Sequence, residues 1–186
     1  MNYDAAVRYL LTLGKELAAP TQAAAAKFDL ENITVLAERL GRPDRAYASA
    51  HIAGTNGKGS TAAFLESILR HAGFRTGLYT SPHLERMNER VRINGSEIDN
   101  ESFAAIFTRL RALIEELLAA HKLRAHPTYF ECITAMAFEY FARERVNSAC
   151  SKSAWADDSM QLTCFHPSSR SSRASISTMN IFLATH

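Results

Sequence analysis

The stretch HIAGTNGKGST, from His51 to Thr61, contains three glycines and a lysine that lies between two of them. Glycines in such a stretch let the backbone turn tightly and approach an anion. They stand here at Gly54, Gly57 and Gly59. The common phosphate loop has a glycine five residues before its Gly-Lys pair, and Ile52 holds that place here. The stretch therefore predicts a phosphate-binding turn whose spacing differs from the common one.

The segments on either side of this turn predict its structural setting. Tyr47 to Ala53 is short, small and apolar, which favours a buried strand, and Thr76 to Thr80 has the same character. Between them, Gly59 to His71 has the apolar period of a helix. Strand, turn, helix and strand in this order predict a βαβ unit, a parallel sheet and a right-handed crossover.

The remaining pattern up to residue 150 is mostly helical. A hairpin is predicted at Arg90 to Ile93, because Asn94-Gly95 is a strong turn signal. The predicted helices are Ala5 to Leu13, one capped by Asn32, a long one capped by Asn100, and Phe130 to Arg145. The fold class is therefore α/β, a parallel sheet with flanking helices.

Composition favours an ordinary globular protein of the cytoplasm. The 186 residues are 47% hydrophobic and 22% charged, and the net charge of +2 is too small to favour nucleic acid as the partner. The three cysteines lack metal-ligand spacing. No opening segment resembles a signal peptide, and no apolar run is long enough to cross a membrane.

The chemistry of the turn favours a nucleotide phosphate with its magnesium ion. Lys58 supplies a charge suited to β- and γ-phosphates, and Ser60 or Thr61 supplies a hydroxyl for Mg²⁺. The simpler alternative is a glycine-rich turn with a solvated lysine. The predicted strand before the turn and helix after it favour the phosphate site.

Four motifs give these residues a family resemblance. AGTNGKGS resembles the ATP loop of the Mur ligase superfamily, which accounts for Ile52. TSPHL at Thr80 to Leu84 and NERVRING at Asn88 to Gly95 resemble the folylpolyglutamate synthase and dihydrofolate synthase branch. TYFE at Thr128 to Glu131 and FDL at Phe28 to Leu30 fit the same branch. The resemblance covers residues 1 to about 150, and the SPHL and TYFE segments argue against the cell-wall Mur ligases.

The resemblance implies an ATP-dependent ligase that joins L-glutamate to dihydropteroate or a folate through an acyl phosphate. Such an enzyme uses ATP and Mg²⁺, binds neither nucleic acid nor membrane, and mostly acts as a monomer. The implied phosphate-binding residues are Gly54, Thr55, Asn56, Gly57, Lys58, Gly59, Ser60 and Thr61. The implied metal ligands are Ser60 and Ser81, and the implied catalytic residues are Lys58 and Ser81. The implied substrate-binding residues are Asp29, Leu30, Thr128, Tyr129, Phe130 and Glu131.

Several of these residues also have a purely structural interpretation. Ser81 could simply begin a Ser-Pro turn, Phe130 could be core, and Glu131 could be a carboxylate at a helix N-terminus. His83 is expected to be structural rather than catalytic, and Cys132 to lie in the core.

The composition changes after Cys150, since residues 151–186 hold nine serines and no glycine. The family continues here with LEVGLGGRLDAT and a later Asp-His pair, whose glutamate and histidine complete the magnesium site. Read one frame away, Trp155-Ala156 forces glycine, Asp157-Asp158 permits only arginine or a stop, and Met160-Gln161 forces alanine. Residues 151–163 then decode as EVGLGGRLDAT, and 175–186 as DLDHEHFLGH. We therefore interpret residues 151–186 as translated out of frame.

This interpretation sets the expected domain organisation. Residues 1–150 are expected to be the N-terminal part of an ATP-binding Mur-ligase-like domain, and 151–186 a disordered, out-of-frame tail. The C-terminal ligase domain is expected to be absent, and the chain to be an inactive, poorly stable version of the enzyme. The alternatives are a catalytically dead ATP-binding or interaction protein that retained the loop and, less favoured, a small P-loop kinase.

Overall fold

The computed structural model describes residues 1–13, 31–53, 56–152, 161–166 and 175–179. The predicted site residues Asp29, Leu30, Gly54 and Thr55 lie outside these ranges. The described parts form an α/β fold, as predicted.

The fold is built on one mixed sheet with a parallel centre. Its strands are β1 (Ala48–Ala53), β2 (Thr76–Tyr79), β3 (Val91–Ile93), β4 (Ser96–Glu97), β5 (Ser148–Lys152), β6 (Gln161–His166) and β7 (Ser175–Met179). Their order is β4-β3-β2-β5-β1-β6-β7. β5 pairs in parallel with β1 and with β2, whereas the outer pairs are antiparallel. The predicted parallel sheet is thus the central part of a wider one.

The helices occupy nearly the predicted positions. They are α1 (Tyr3–Thr12), α2 (Glu31–Arg39), α3 (Lys58–His71), α4 (Asn100–Ala119) and α5 (Tyr129–Arg143).

Two predicted helix caps are wrong. Asn32 lies inside α2, one residue after its start. Asn100 is the first residue of α4, and Asp99 before it is the cap, because its carboxylate accepts the Ser102 N–H at 2.7 Å. The error at α4 arises because the neighbouring Asp99 is also a good capping residue.

Small and branched side chains explain how α3 packs on the sheet centre. Ala50, Ile52, Leu78 and Cys150 on the three central strands and Ala62 on α3 form one buried cluster. Leu65 and Leu69 of α3 pack against it. The β1–α3–β2 unit predicted around the opening stretch is therefore present, with β5 inserted between its two strands.

The hairpin at Asn94-Gly95 also forms as predicted. Both residues have positive φ, 51° and 81°, the conformation that a two-residue type I′ turn requires. The Asn94 side-chain oxygen also accepts the Thr76 N–H at 2.9 Å, which fastens the turn to the start of β2.

The chain divides into two compact units, and each is described by itself. One comprises Met1–Asp44 and Asp99–Tyr140, and the other Arg45–Ile98 and Phe141–His186. The sheet and α3 belong to the second unit, and α1, α2 and α4 to the first.

Within residues 151–186 the structure describes the two outer strands β6 and β7 and the end of β5. The expected domain boundaries and the out-of-frame interpretation of this segment remain predictions. Among the described helices, none combines the length and the apolarity that a membrane span requires.

Candidate functional site

The N-terminus of α3 lies directly after β1, at the end of the parallel strands. Gly57 precedes the helix with φ 72°, a left-handed conformation that glycine adopts without strain. The first bond of the helix runs from the Thr61 N–H to the Gly57 carbonyl, at 2.9 Å. Gly59 and Ser60 come before that bond, so helix geometry directs their N–H groups out of the N-terminal end. This end of the helix dipole favours an anion.

Gly59 is not required by packing within the protein. A Cβ atom built there would meet nothing within 4 Å, and its φ lies outside the left-handed region. Gly77 is the opposite case, because a Cβ there would come within 2.9 Å of the Phe141 ring. The missing side chain at Gly59 thus leaves space beside the helix terminus, which fits an anion approaching the backbone.

The other described residues of this stretch differ in their burial. Lys58 is the first residue of α3 and is half-buried, whereas Asn56 and Ser60 are exposed. His51 on β1 is largely buried, and its Nδ1 lies 3.0 Å from the Ser151 hydroxyl of β5. Burial lowers the pKa of His51 below its usual value, which keeps this position uncharged near neutral pH.

Ser81 lies in a loop that follows β2, and we name residues Thr80 to Arg90 the Ser81 loop. The Thr80 N–H donates to the Arg90 carbonyl at 3.0 Å and closes the loop. Three of its residues, Met87, Asn88 and Arg90, are almost completely buried. Asn88 donates from its side-chain amide to the Ile98 carbonyl at 2.6 Å. These contacts hold the loop firmly to the sheet.

Glu89 fixes the shape of the exposed half of the loop. Its carboxylate accepts the N–H groups of Leu84, Glu85 and Arg86 at 2.8, 2.8 and 2.6 Å. These backbone hydrogen bonds lower the pKa of Glu89 to about 2, so the carboxylate stays charged throughout the neutral range. Glu89 and Arg90 belong to the NERVRING motif, and the sequence pattern predicted no individual role for either residue. Two charged residues just before a short strand were the available signal.

Ser81 and the terminus of α3 lie at the same edge of the sheet. In the strand register, Ser151 of β5 is paired with His51 of β1 on one side and with Tyr79 of β2 on the other. Because these strands are parallel, their carboxyl ends meet at one edge. The structure therefore brings Asn56–Thr61 and Ser81 to the same edge, one strand apart.

The TYFE segment lies in the other unit and begins α5. Glu131 accepts the Thr128 N–H at 2.7 Å and its hydroxyl at 2.8 Å, while the Thr128 hydroxyl accepts the Glu131 N–H at 3.2 Å. This is a reciprocal capping box, the structural interpretation that the sequence left open for Glu131. Tyr129 is buried and Phe130 half-buried. Contact of this segment with a substrate remains a prediction.

A side-chain network braces the chain just before this segment. His126 donates from Nδ1 to the Pro127 carbonyl at 2.8 Å, so its Nε2 accepts the Tyr9 hydroxyl at 3.0 Å. The Arg111 guanidinium lies 4.4 Å from the centre of the Tyr9 ring. Cys132 is fully buried, as expected, and burial raises the pKa of its thiol to about 12.

The two predicted metal ligands, Ser60 and Ser81, would each offer a hydroxyl group. In the described part of the chain, no three His, Cys, Asp or Glu side chains come together in a group that could hold a metal. Ser60 and Ser81 therefore remain predicted ligands.

Known proteins resemble this chain over most of its described length. The dihydrofolate synthase/folylpolyglutamate synthase of Bacillus subtilis is 43% identical over 107 residues, which are 58% of this chain and 24% of that protein. A probable bifunctional folylpolyglutamate synthase/dihydropteroate synthase of Halobacterium salinarum is 39% identical over 150 residues, 80% of this chain and 17% of that protein. A folylpolyglutamate synthase solved with AMPPCP and folate matches with a TM-score of 0.75 and 33% identity over 85% of this chain and 36% of that one.

No protein-family model matches the sequence. The chain spans about a quarter or less of the length of these two sequence relatives.

Proposed function

We propose that this chain, which is similar to folylpolyglutamate and dihydrofolate synthases over part of their length, carries the nucleotide-binding half of an ATP-dependent folate ligase. The observation that carries the proposal is the terminus of α3, where Gly57 has the left-handed backbone and Gly59 leaves open space. Both features favour an anion held by backbone N–H groups. The solved relative named with AMPPCP makes a nucleoside triphosphate the anion to test.

The residues at this edge of the sheet would contact different parts of a bound Mg²⁺–nucleotide. Asn56, Gly57 and Gly59 would let the backbone approach the phosphates, and Lys58 would balance their charge. The hydroxyls of Ser60 and Ser81 would hold Mg²⁺, whose bound charge neutralises the phosphate oxygens. Gly54 and Thr55, which join β1 to these residues in sequence, would complete the loop.

The proposed reaction needs positioning more than covalent help from the protein. A substrate carboxylate attacks the γ-phosphorus of ATP and forms an acyl phosphate. The bond between the γ-phosphorus and the β-γ bridging oxygen breaks, and ADP leaves. The amine of L-glutamate then attacks the acyl carbon, loses a proton and displaces inorganic phosphate, which yields the amide. We assign dihydropteroate or a folate to the segments Asp29–Leu30 and Thr128–Glu131. We expect the intact enzyme to act as a monomer in the cytoplasm.

We propose further that residues 151–186 are read out of frame and that this chain binds nucleotide without ligating glutamate. The shifted reading of 151–163 and 175–186 contains the glutamate and histidine motifs expected at the metal site, and the present reading lacks both motifs. Up to Cys150 the present frame suits the sheet, because Ala149 and Cys150 are buried at its centre. Sequencing the genomic DNA across codons 148–153 tests this. A single missing or extra base supports the frame change, and an unbroken frame contradicts it.

Nucleotide binding is tested by calorimetric titration of the chain with Mg²⁺ and AMPPCP. We expect Lys58→Ala to weaken binding more than tenfold, since it removes a charge-assisted contact to phosphate. Gly59→Ala should also weaken binding, while its thermal midpoint stays level or rises because alanine favours a helix. Binding that is absent, or unchanged in both variants, would contradict the proposed site.

A further inference from the structure

The outer face of α3 is apolar although it is exposed. Phe64 is 70% exposed and Ile68 is 66% exposed. Because these residues are four positions apart on one helix, their side chains are neighbours on the same face. The face toward the sheet is apolar as well, since Ala62, Leu65 and Leu69 pack there. A helix that is apolar on both faces is normally covered on both.

The exposed side chains of α3 carry no carboxylate, ammonium or guanidinium group. They are Ser60, Ala63, Phe64, Ile68 and His71. The only acidic residue of this helix, Glu66, is 4% exposed and pairs with Arg70 at 3.2 Å. His71 donates from Nδ1 to the Ser67 carbonyl at 2.7 Å, so this ring nitrogen is satisfied within the helix. Covering the outer face therefore avoids the large cost of burying a charge.

The helix α4 shows the ordinary arrangement for comparison. Phe103, Phe107 and Leu117 on its apolar face are each at most 1% exposed. Its exposed face carries charged side chains, which are Glu101, Arg109, Glu115 and Glu116. The exposed apolar face is therefore particular to α3 and indicates an interaction surface.

A second copy of the chain fits this face by charge, symmetry and size. A charged partner gains no ion pair there, whereas an identical uncharged face meets no repulsion. In an antiparallel pair of α3 helices about a two-fold axis, Phe64 of each copy meets Ile68 of the other. The same arrangement brings Phe74, 48% exposed just beyond the helix, toward the start of α3 in the other copy. These three residues expose roughly 350 Å² per copy, about half of what a stable interface buries.

We propose that two copies of this chain associate through antiparallel α3 helices, with Phe64 and Ile68 at the centre of the interface. The proposal concerns the 186-residue chain and not the intact enzyme, for which a monomer is expected. It does not depend on the nucleotide site. The small apolar area gives a weak dimer, with a dissociation constant on the order of 10 µM.

Sedimentation velocity of the full chain without nucleotide, from about 1 to about 200 µM, tests the association. We expect monomer at the lowest concentration and dimer at the highest. Ile68→Glu should weaken the dimer at least tenfold, because it places a carboxylate against Phe64 of the other copy. The matched control is Leu11→Glu, which changes a leucine of α1 that is 51% exposed and should leave the dimer intact. A parent chain that stays monomeric, or an Ile68→Glu variant that dimerises equally well, overturns the proposal.

A mixture of two variants tests the antiparallel pairing. Phe64→Lys alone should also lose the dimer, because its ammonium group then lies against Ile68. When Phe64→Lys and Ile68→Glu are mixed, one contact becomes a Lys–Glu ion pair and the other keeps Phe64 against Ile68, so the dimer should return. In a parallel pair each residue would meet its own counterpart, and mixing would restore nothing. Absence of a dimer in the mixture therefore overturns the proposed pairing.

Circular dichroism shows whether each variant is folded. If one is not, methyl NMR of the parent chain decides. Dilution through the dissociation constant should shift the δ1-methyl resonance of Ile68 and leave that of Ile106, which is 0% exposed on α4, in place. An Ile68 resonance that does not move with concentration overturns the proposal.

Discussion

Gly59 and Gly77 show that identical residues can be required for opposite reasons. Gly59 borders open space, which the proposed phosphate ligand would occupy, whereas Gly77 faces the buried Phe141 ring at 2.9 Å. The sequence singles out Gly59 because it stands beside a lysine in a recognisable motif. It contains no comparable signal for Gly77, since the contact with Phe141 is made only in the folded chain, 64 positions away in sequence.

The first residue-scale prediction concerns Gly77→Ala. The added methyl overlaps the Phe141 ring in a packed interior, so we expect a loss of about 1–3 kcal/mol in the free energy of unfolding. Urea denaturation followed by circular dichroism measures it. Gly59→Ala is the matched control and should lose no stability. An unchanged midpoint for Gly77→Ala would contradict the packing described here.

The second residue-scale prediction concerns the substitution Glu89→Gln. The folded-state pKa of Glu89 is about 2 against an ordinary 4.5, so ionisation of this carboxylate stabilises the folded chain fully above pH 4.5. That contribution disappears as the pH falls from 4.5 toward 2. We therefore expect Glu89→Gln to lower the thermal midpoint at pH 7, and the two proteins to converge near pH 2. Glu85→Gln is the control, and a constant difference across this range would exclude the linkage.

At the scale of the element, the caps show where sequence patterns lose precision. Asn100 and Asp99 are adjacent, and both residue types cap helices well. Only the backbone conformation distinguishes them: Asp99 is extended and is the N-cap, whereas Asn100 is already helical. Long apolar periods gave α4 and α5 nearly correct bounds, because the pattern there extends over several turns.

The cap assignment gives a prediction for α4. Asp99→Ala should cost about 1 kcal/mol, because the Ser102 N–H loses its acceptor. The same backbone hydrogen bond lowers the pKa of Asp99, so the difference from the parent should shrink in acid, as pH falls below the usual range of aspartate. Chemical denaturation at two pH values measures both effects. Asn100→Ala should change stability less, and the reverse order would restore Asn100 as the cap.

At the scale of the whole molecule, the βαβ unit was predictable and the complete sheet was not. Alternating apolar segments around His51–Thr61 indicate β1, α3 and β2. The placement of β5 between β1 and β2 depends on pairing over long sequence distances, which periodicity does not report. The site is divided in the same way: motifs locate Lys58 and Ser81, but only the folded chain shows Arg90 beside His83.

The frame interpretation yields the prediction for the whole chain. The protein as written should bind AMPPCP and form no ADP when supplied with ATP, L-glutamate and dihydropteroate. A gene corrected by one base within codons 148–153 should produce a protein that forms ADP under the same conditions. Chromatographic detection of ADP checks both. ADP formation by the uncorrected chain, dependent on both substrates, would contradict the proposed inactivity.

The central position of β5 has a consequence for how this protein folds while it is being synthesised on the ribosome. Roughly a hundred residues are synthesised after Ala48 before its β5 partner Ser148 is available. Thr76 of β2 pairs with the same residue of β5. Until then β1 and β2 emerge with unpaired edges, which are the surfaces that invite aggregation. The segment Asp99–Tyr140 belongs to the other unit and is translated during this interval. Synthesis therefore includes a long interval in which the edges of β1 and β2 that later pair with β5 are exposed.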